Sequence, residues 1–99
     1  MYLVRDIMYC KPGKARAMVE KFTALAKAGQ KIGMGSMRVM TDVSAERYWT
    51  VVAETEVANM EQHAEMARKS MQIPEFQDIM KGYHDLVAEG RREIYQLES

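Results

Sequence analysis

Four segments of the chain have the hydrophobic and polar pattern of β-strands. The first is apolar and aromatic apart from Arg5 and Asp6, and a Pro-Gly turn follows it. The second alternates apolar with polar side chains, and the third is rich in β-branched and aromatic residues. We predict strands at residues 2–10, 34–43, 47–57 and 91–97.

Two segments between these strands have the three- and four-residue spacing of amphipathic helices. Apolar residues recur at that spacing from Ala15 until Gly33, which predicts one helix. Asn59 is typical of a helix N-cap, and it precedes a second apolar stripe. Pro74 interrupts this stripe and is predicted to start a new helix, whose apolar face continues until Gly90.

The order of these elements is strand, helix, strand, strand, helix, strand. It predicts a single α+β domain over residues 1–99 with a ferredoxin-like βαββαβ fold, in which a four-stranded antiparallel sheet carries the helices on one face. The other face of the sheet has no helix to cover it. A second copy of the chain, packed face to face, would bury that surface, so the sequence predicts a homodimer.

Alternation along each strand predicts which side chains point toward the helices. A shift of one residue would reverse every assignment on a strand. Toward the helices we place Val4, Asp6, Met8 and Cys10 of the first strand, Met37, Val39 and Val43 of the second, Trp49, Val51, Ala53 and Val57 of the third, and Tyr95 and Leu97 of the last. Toward the open face we place Arg5, Val52, Glu54, Arg92, Ile94 and Gln96.

The composition argues against several classes of partner. The chain has 14 basic and 14 acidic residues and a formal net charge of zero, so there is no electrostatic reason to expect nucleic acid or an anionic membrane. No apolar run approaches the roughly 20 residues of a membrane helix. Arg5 and Asp6 interrupt the apolar segment at the N-terminus, so no signal peptide is predicted. Because Cys10 is the only cysteine, we expect no internal disulfide and a cytoplasmic location.

The sequence gives little support to metal or cofactor chemistry. The two histidines, His63 and His84, form no His-x-x-x-His pair, and a second cysteine is missing. We therefore predict no metal and no resident cofactor. The ten methionines are unusual for a chain of this length. We interpret them mainly as core packing, with an adaptable ligand pocket as the alternative.

The candidate site follows from Asp6, which breaks an otherwise apolar inward row. A buried carboxylate is costly unless it is paired, protonated or facing a cavity. We predict that Asp6 and Trp49 point from the sheet into the helix layer, that His63 or His84 approaches from the second helical region, and that Tyr83 adds a polar contact. A carboxylate and an imidazole in one cavity are suited to moving a proton on a small substrate. Alternatively, Asp6 pairs with a nearby cation, methionine fills the space, and both histidines are ordinary packed or surface residues.

Three short segments carry a family resemblance. They are the turn Lys11–Lys14, the proline-acid-aromatic segment Pro74–Gln77 and the last-strand segment Arg92–Tyr95. In these segments the chain resembles the dimeric α+β barrel superfamily, most closely its NIPSNAP-like and antibiotic-biosynthesis-monooxygenase-like groups. The resemblance implies a ferredoxin-like protomer and a dimer whose two sheets close into a barrel.

The same resemblance bears on haem chemistry and on function. The haem-degrading branch carries Asn, Trp and His where this chain has Asp6, Glu56 and Met80, so haem is not expected. Two hypotheses remain. The first is a homodimeric, cofactor-free oxygenase or isomerase that acts on a small hydrophobic or aromatic substrate in a cleft between sheet and helices. The second is a non-catalytic dimer that binds a ligand or a protein.

Overall fold

The computed structural model describes residues 1–99 and contains one four-stranded antiparallel sheet. Its strands are β1 (Tyr2–Cys10), β2 (Met37–Thr41), β3 (Thr50–Val57) and β4 (Val87–Gln96). Their spatial order is β2-β3-β1-β4, so β1 lies in the interior of the sheet between β3 and β4. This is the predicted ferredoxin-like arrangement.

The helices lie on one face of this sheet, as predicted. They are α1 (Ala15–Lys31), α2 (Met60–Ser70) and α3 (Pro74–Met80), and a short 3₁₀ turn follows at Tyr83–Asp85. The predicted cap of α2 is confirmed, because the Asn59 side chain accepts a hydrogen bond of 3.0 Å from the Gln62 backbone N–H. Pro74 occupies the first turn of α3, where its missing N–H costs nothing. None of the helices combines the length and the apolar character that a membrane crossing requires.

The hydrophobic core lies between α1 and the centre of the sheet. Met18 and Phe22 of α1 are buried against Cys10 of β1 and against Val51 and Ala53 of β3. In α2, by contrast, only the last residue, Ser70, is buried. Because α2 does not pack closely on the sheet, the space between them is left for a cleft.

The register confirms the predicted faces of β1 and β3 and corrects that of β4. Arg92 lies opposite Asp6, and Ile94 lies opposite Val4. Since cross-strand partners in an antiparallel pair share a face, Arg92 and Ile94 lie on the helix side with Asp6. Tyr95, predicted to point inward, is 47% exposed on the opposite face. The prediction was wrong because it followed the apolar residues Tyr95 and Leu97 rather than the pairing with β1.

Three predicted strand boundaries also need correction. β2 is shorter than predicted, because the Asp42 side chain accepts a hydrogen bond of 2.9 Å from the Thr50 backbone N–H and turns the chain. Val43, predicted to point toward the helices, therefore lies outside the strand and is fully exposed, so that prediction was wrong. β3 begins at Thr50 rather than at residue 47. β4 begins at Val87, where helix was expected, because Gly82 adopts a left-handed backbone (φ 82°) that ends the helical region.

Trp49 does not belong to the inward row of β3. Its backbone is left-handed (φ 61°), which breaks the alternation before the strand starts. The side chain is 44% exposed, so the prediction that it packs under the helices was wrong.

Candidate functional site

A cleft of about 650 Å³ opens between the sheet and the helices. One wall is the helix-facing side of β1, β3 and β4, and the other consists of residues of α1, α2 and α3. Most of the lining side chains are apolar. The polar and charged side chains in the lining are Asp6, Thr55, Glu56, Asn59, Gln62, His63, Arg68, Ser70, Tyr83 and Arg92.

Methionine is the commonest residue of the cleft lining. The residues concerned are Met8, Met34, Met37, Met66, Met71 and Met80. Met18, by contrast, is fully buried in the core. Methionine is flexible and polarisable, and it adapts to ligands of different shape. Met8, Met37 and Met80 also pack against the core cluster, so methionine in this chain serves both core packing and the lining of the cleft.

Asp6 lies on the cleft wall, where it forms an ion pair with Arg92. The Nε–H of Arg92 donates a hydrogen bond of 2.7 Å to its Oδ1, because the two residues face each other across β1 and β4. The Asp6 side chain is 32% exposed and that of Arg92 is 61% exposed. Asp6 is therefore both paired with a cation and open to the cleft.

The structure brings two further predicted site residues to the cleft and leaves two outside it. His63 lies on the inner side of α2 beside Met66 and Ala67, and Tyr83 lies at the far end past α3. His84 is exposed outside the cleft, although its ring lies against that of Tyr83 with centroids 4.0 Å apart. Trp49 is not part of the cleft lining.

Sequence reasoning missed Arg92 as a member of this site. Arg92 stands 86 residues from Asp6 in the chain, and alternation had assigned it to the open face. Aligning β4 with β1 so that a cation lies opposite Asp6 would have identified Arg92, since a carboxylate in an apolar row needs a cation on the neighbouring strand.

A second carboxylate forms an ion-pair cluster on the open face. Glu54 accepts a hydrogen bond of 2.8 Å from Arg5 Nε and is also bound by Arg38, and its side chain is 6% exposed. The pKa of Glu54 is lowered, chiefly by the hydrogen bond from Arg5. Desolvation by burial acts in the opposite direction and raises the pKa, whereas the positive charge of Arg38 lowers it further. This cluster faces away from the cleft.

Two other reactive possibilities receive no support from the structure. Cys10 is buried in the core, and this burial raises the pKa of its thiol, which disfavours the reactive thiolate. No group of three or more histidine, cysteine, aspartate or glutamate side chains is placed to hold a metal ion.

Solved structures of other proteins show the same architecture. A NIPSNAP-like domain protein from Burkholderia xenovorans superposes with a TM-score of 0.81 at 19% identity, covering 99% of this chain and 85% of that one. A NIPSNAP family protein from Agrobacterium tumefaciens gives 0.80 at 13% identity, covering 96% and 90%. The chain has the NIPSNAP-like fold.

The fold is also that of monooxygenase-like proteins. A putative antibiotic biosynthesis monooxygenase from Nitrosomonas europaea superposes with a TM-score of 0.75 at 15% identity over 100% of both chains. No protein-family model and no curated protein matches the sequence. At these identities the similarity establishes the fold of the chain, and the predicted superfamily resemblance is confirmed at that level.

Proposed function

We propose that the chain binds a small, mainly apolar or aromatic molecule in the cleft and moves a proton on it without a cofactor, as a cofactor-free oxygenase or an isomerase does. The observation that carries this proposal is the cleft itself. Its volume of about 650 Å³ lies in the range of sites that enclose small ligands. Its lining joins apolar walls to an ion pair and an imidazole, which is the usual composition of such a site.

Within the cleft, His63 is the residue best suited to receive a proton. Imidazole exchanges protons near neutral pH, whereas the Asp6 carboxylate already accepts a hydrogen bond from Arg92. We assign His63 the role of general base and Asp6 the role of orienting the ligand. The proton of an acidic C–H passes to His63, the electron pair stays on the ligand as an enolate, and reprotonation completes an isomerisation.

Solvent deuterium exchange tests this assignment. In D₂O, 2-tetralone, an apolar ketone with acidic α-protons, is expected to incorporate deuterium faster with the protein than in buffer, as followed by NMR. His63→Gln should reduce the added rate at least tenfold, in line with the usual contribution of a general base. His84→Gln is the matched control, because His84 lies outside the cleft, and it should leave the rate unchanged. Equal rates for His63→Gln and the unmodified protein would refute the catalytic role.

A second candidate function, ligand binding without catalysis, is favoured by a different observation. The six methionines of the lining form a deformable wall, and Asp6 is already engaged by Arg92. If 2-tetralone binds with no added deuterium exchange, the non-catalytic binding protein is the correct description.

We also propose that the functional unit is a homodimer formed through the open faces of the two sheets. The molecule is only 18 Å thick along its shortest axis, which matches one sheet and one helix layer. The open face carries half-buried apolar residues such as Ile7 and Val52, together with the Arg5–Glu54–Arg38 cluster. A second sheet would cover the apolar residues, and its own charges can complement the cluster.

A further inference from the structure

We infer that the cleft selects ligands with a neutral head group that presents a hydrogen-bond acceptor beside a donor, such as a primary amide or an enol, and that Asp6 and Arg92 together bind this group. The inference rests on the proposed function, because it requires the cleft to be a ligand site. It adds the chemical class of the ligand.

The ion pair leaves polar atoms for a ligand. Arg92 uses its Nε–H for Asp6 Oδ1, and the second carboxylate oxygen and the two terminal guanidinium nitrogens make no further hydrogen bond within the protein. Asp6 thus keeps an acceptor and Arg92 keeps donors, side by side on the cleft wall. A ligand complementary to both must carry a donor next to an acceptor.

The charges of the pair favour a neutral ligand over an anion. A carboxylate would gain a contact with Arg92, but it would also stand next to the negative Asp6, whose attraction to Arg92 it would have to weaken. A simple ketone satisfies Arg92 but offers no donor to the Asp6 oxygen, so it makes one hydrogen bond fewer than an amide does. An amide or an enol satisfies both groups and brings no net charge.

The body of the ligand is expected to be apolar. The sheet side of the cleft near the pair is formed by Val4 and Met8, and the helix side contributes Phe22, Met66 and Met80. These side chains offer dispersion contacts and no hydrogen bonds. The ion pair is therefore expected to set the head-group preference, and the apolar walls are expected to select the size of the ligand.

A series of three naphthalene ligands tests the head-group preference, with affinities measured by isothermal titration calorimetry. 2-Naphthamide, 2-acetonaphthone and 2-naphthoate share one ring system and differ only in the group presented to Asp6 and Arg92. We expect 2-naphthamide to bind roughly tenfold more tightly than either of the others, as one charge-assisted hydrogen bond would give. Tighter binding of 2-naphthoate, or equal affinity for all three, would overturn the inference but leave the proposed binding site standing. No binding of any of the three would overturn both.

Matched variants locate the preference. Asp6→Leu should reduce the affinity for 2-naphthamide to that for 2-acetonaphthone, since the two ligands differ in the N–H that Asp6 accepts. Arg91→Met removes a guanidinium that pairs with Glu93 on the open face, and it should keep the tenfold contrast. If Asp6→Leu does not fold, Asp6→Asn serves instead, and it should strengthen 2-naphthoate relative to 2-naphthamide by removing the like charge. An unchanged contrast in the folded variant would overturn the inference.

Discussion

Two carboxylates on opposite faces of the sheet, Asp6 and Glu54, have different surroundings. Glu54 is bound by two arginines and its side chain is 6% exposed. Asp6 has one arginine and keeps an oxygen free on the cleft wall. The first arrangement satisfies the carboxylate within the protein and is structural, whereas the second is suited to a ligand.

Removing the charge of Glu54 is expected to lower stability in a pH-dependent way. Its pKa is lowered in the folded protein, mainly by the hydrogen bond from Arg5. The stabilisation is therefore complete above the unfolded-state pKa of about 4.3 and is lost as the pH falls through the lower folded-state value. Glu54→Gln should reduce the free energy of unfolding at pH 7 by about 1–2 kcal/mol, a range that allows for solvent screening of the exposed arginines.

Urea denaturation at several pH values and one protein concentration measures this effect. The difference between Glu54→Gln and the unmodified protein should shrink as the pH falls below about 4. Glu56→Gln, at an exposed position of the same strand, is the control and should differ little at any pH. A Glu54→Gln difference that stays constant from pH 7 to pH 3 would refute the electrostatic account.

How far the candidate site can be predicted from the sequence depends on the residue. Asp6 was predictable, because a charge within an apolar alternating strand must find a partner or a cavity. Arg92 was not predictable from alternation, because β4 contains polar residues on both faces; only its pairing with Asp6 across the strands identifies it. Trp49 failed for a local reason, since its left-handed backbone is a property of the turn and leaves no trace in the apolar pattern.

The helices and strands themselves were predictable from their apolar periodicity, whereas several of their end residues were not. β1 ends and α1 begins where predicted, because the Pro-Gly turn and the change of apolar period coincide between them. The start of β4 was missed because Tyr83, Leu86 and Val87 have a spacing that also suits a helix. Only the pairing of Val87 with Cys10 decides in favour of strand, and such long-range pairing is absent from the local sequence.

The cap at Asn59 is expected to matter more to α2 than its exposed location suggests. α2 buries only Ser70, so little tertiary packing compensates for a lost cap. Asn59→Ala should lower the free energy of unfolding by about 1 kcal/mol, because the Gln62 N–H loses its partner. Asn59→Ser retains a capping oxygen and should lose much less. Urea denaturation of the two variants measures the difference, and equal losses would show that the cap does not hold this helix.

The whole molecule is a two-layer structure with one uncovered sheet face. Its principal extents of 36 × 35 × 18 Å describe a flat body. The cleft lies between the sheet and the helices of a single chain, and no helix covers the open face of the sheet. The proposed ligand site and the proposed dimer interface therefore lie on opposite faces of the same sheet.

The chain is expected to be a dimer in solution. Gel filtration with light scattering at micromolar concentration should give twice the chain mass of 11.4 kDa, since an interface of roughly 1,600 Å² or more would suffice for a specific contact. Ile7→Lys on the open face should shift the mass toward the protomer, and Thr23→Lys on the exposed side of α1 should not. A single-protomer mass for the unmodified chain would contradict the dimer.

The most direct test of the account is methionine methyl NMR during titration with 2-naphthamide. The methionine methyl groups are natural probes of the binding site, because six of the ten methionines line the cleft and four lie elsewhere in the molecule. We expect shifts in the methyl resonances of the cleft methionines, which are Met8, Met34, Met37, Met66, Met71 and Met80. The resonances of Met1, Met18, Met40 and Met60 should stay in place. Shifts confined to the second group, or no shift at millimolar ligand, would contradict the cleft as the binding site.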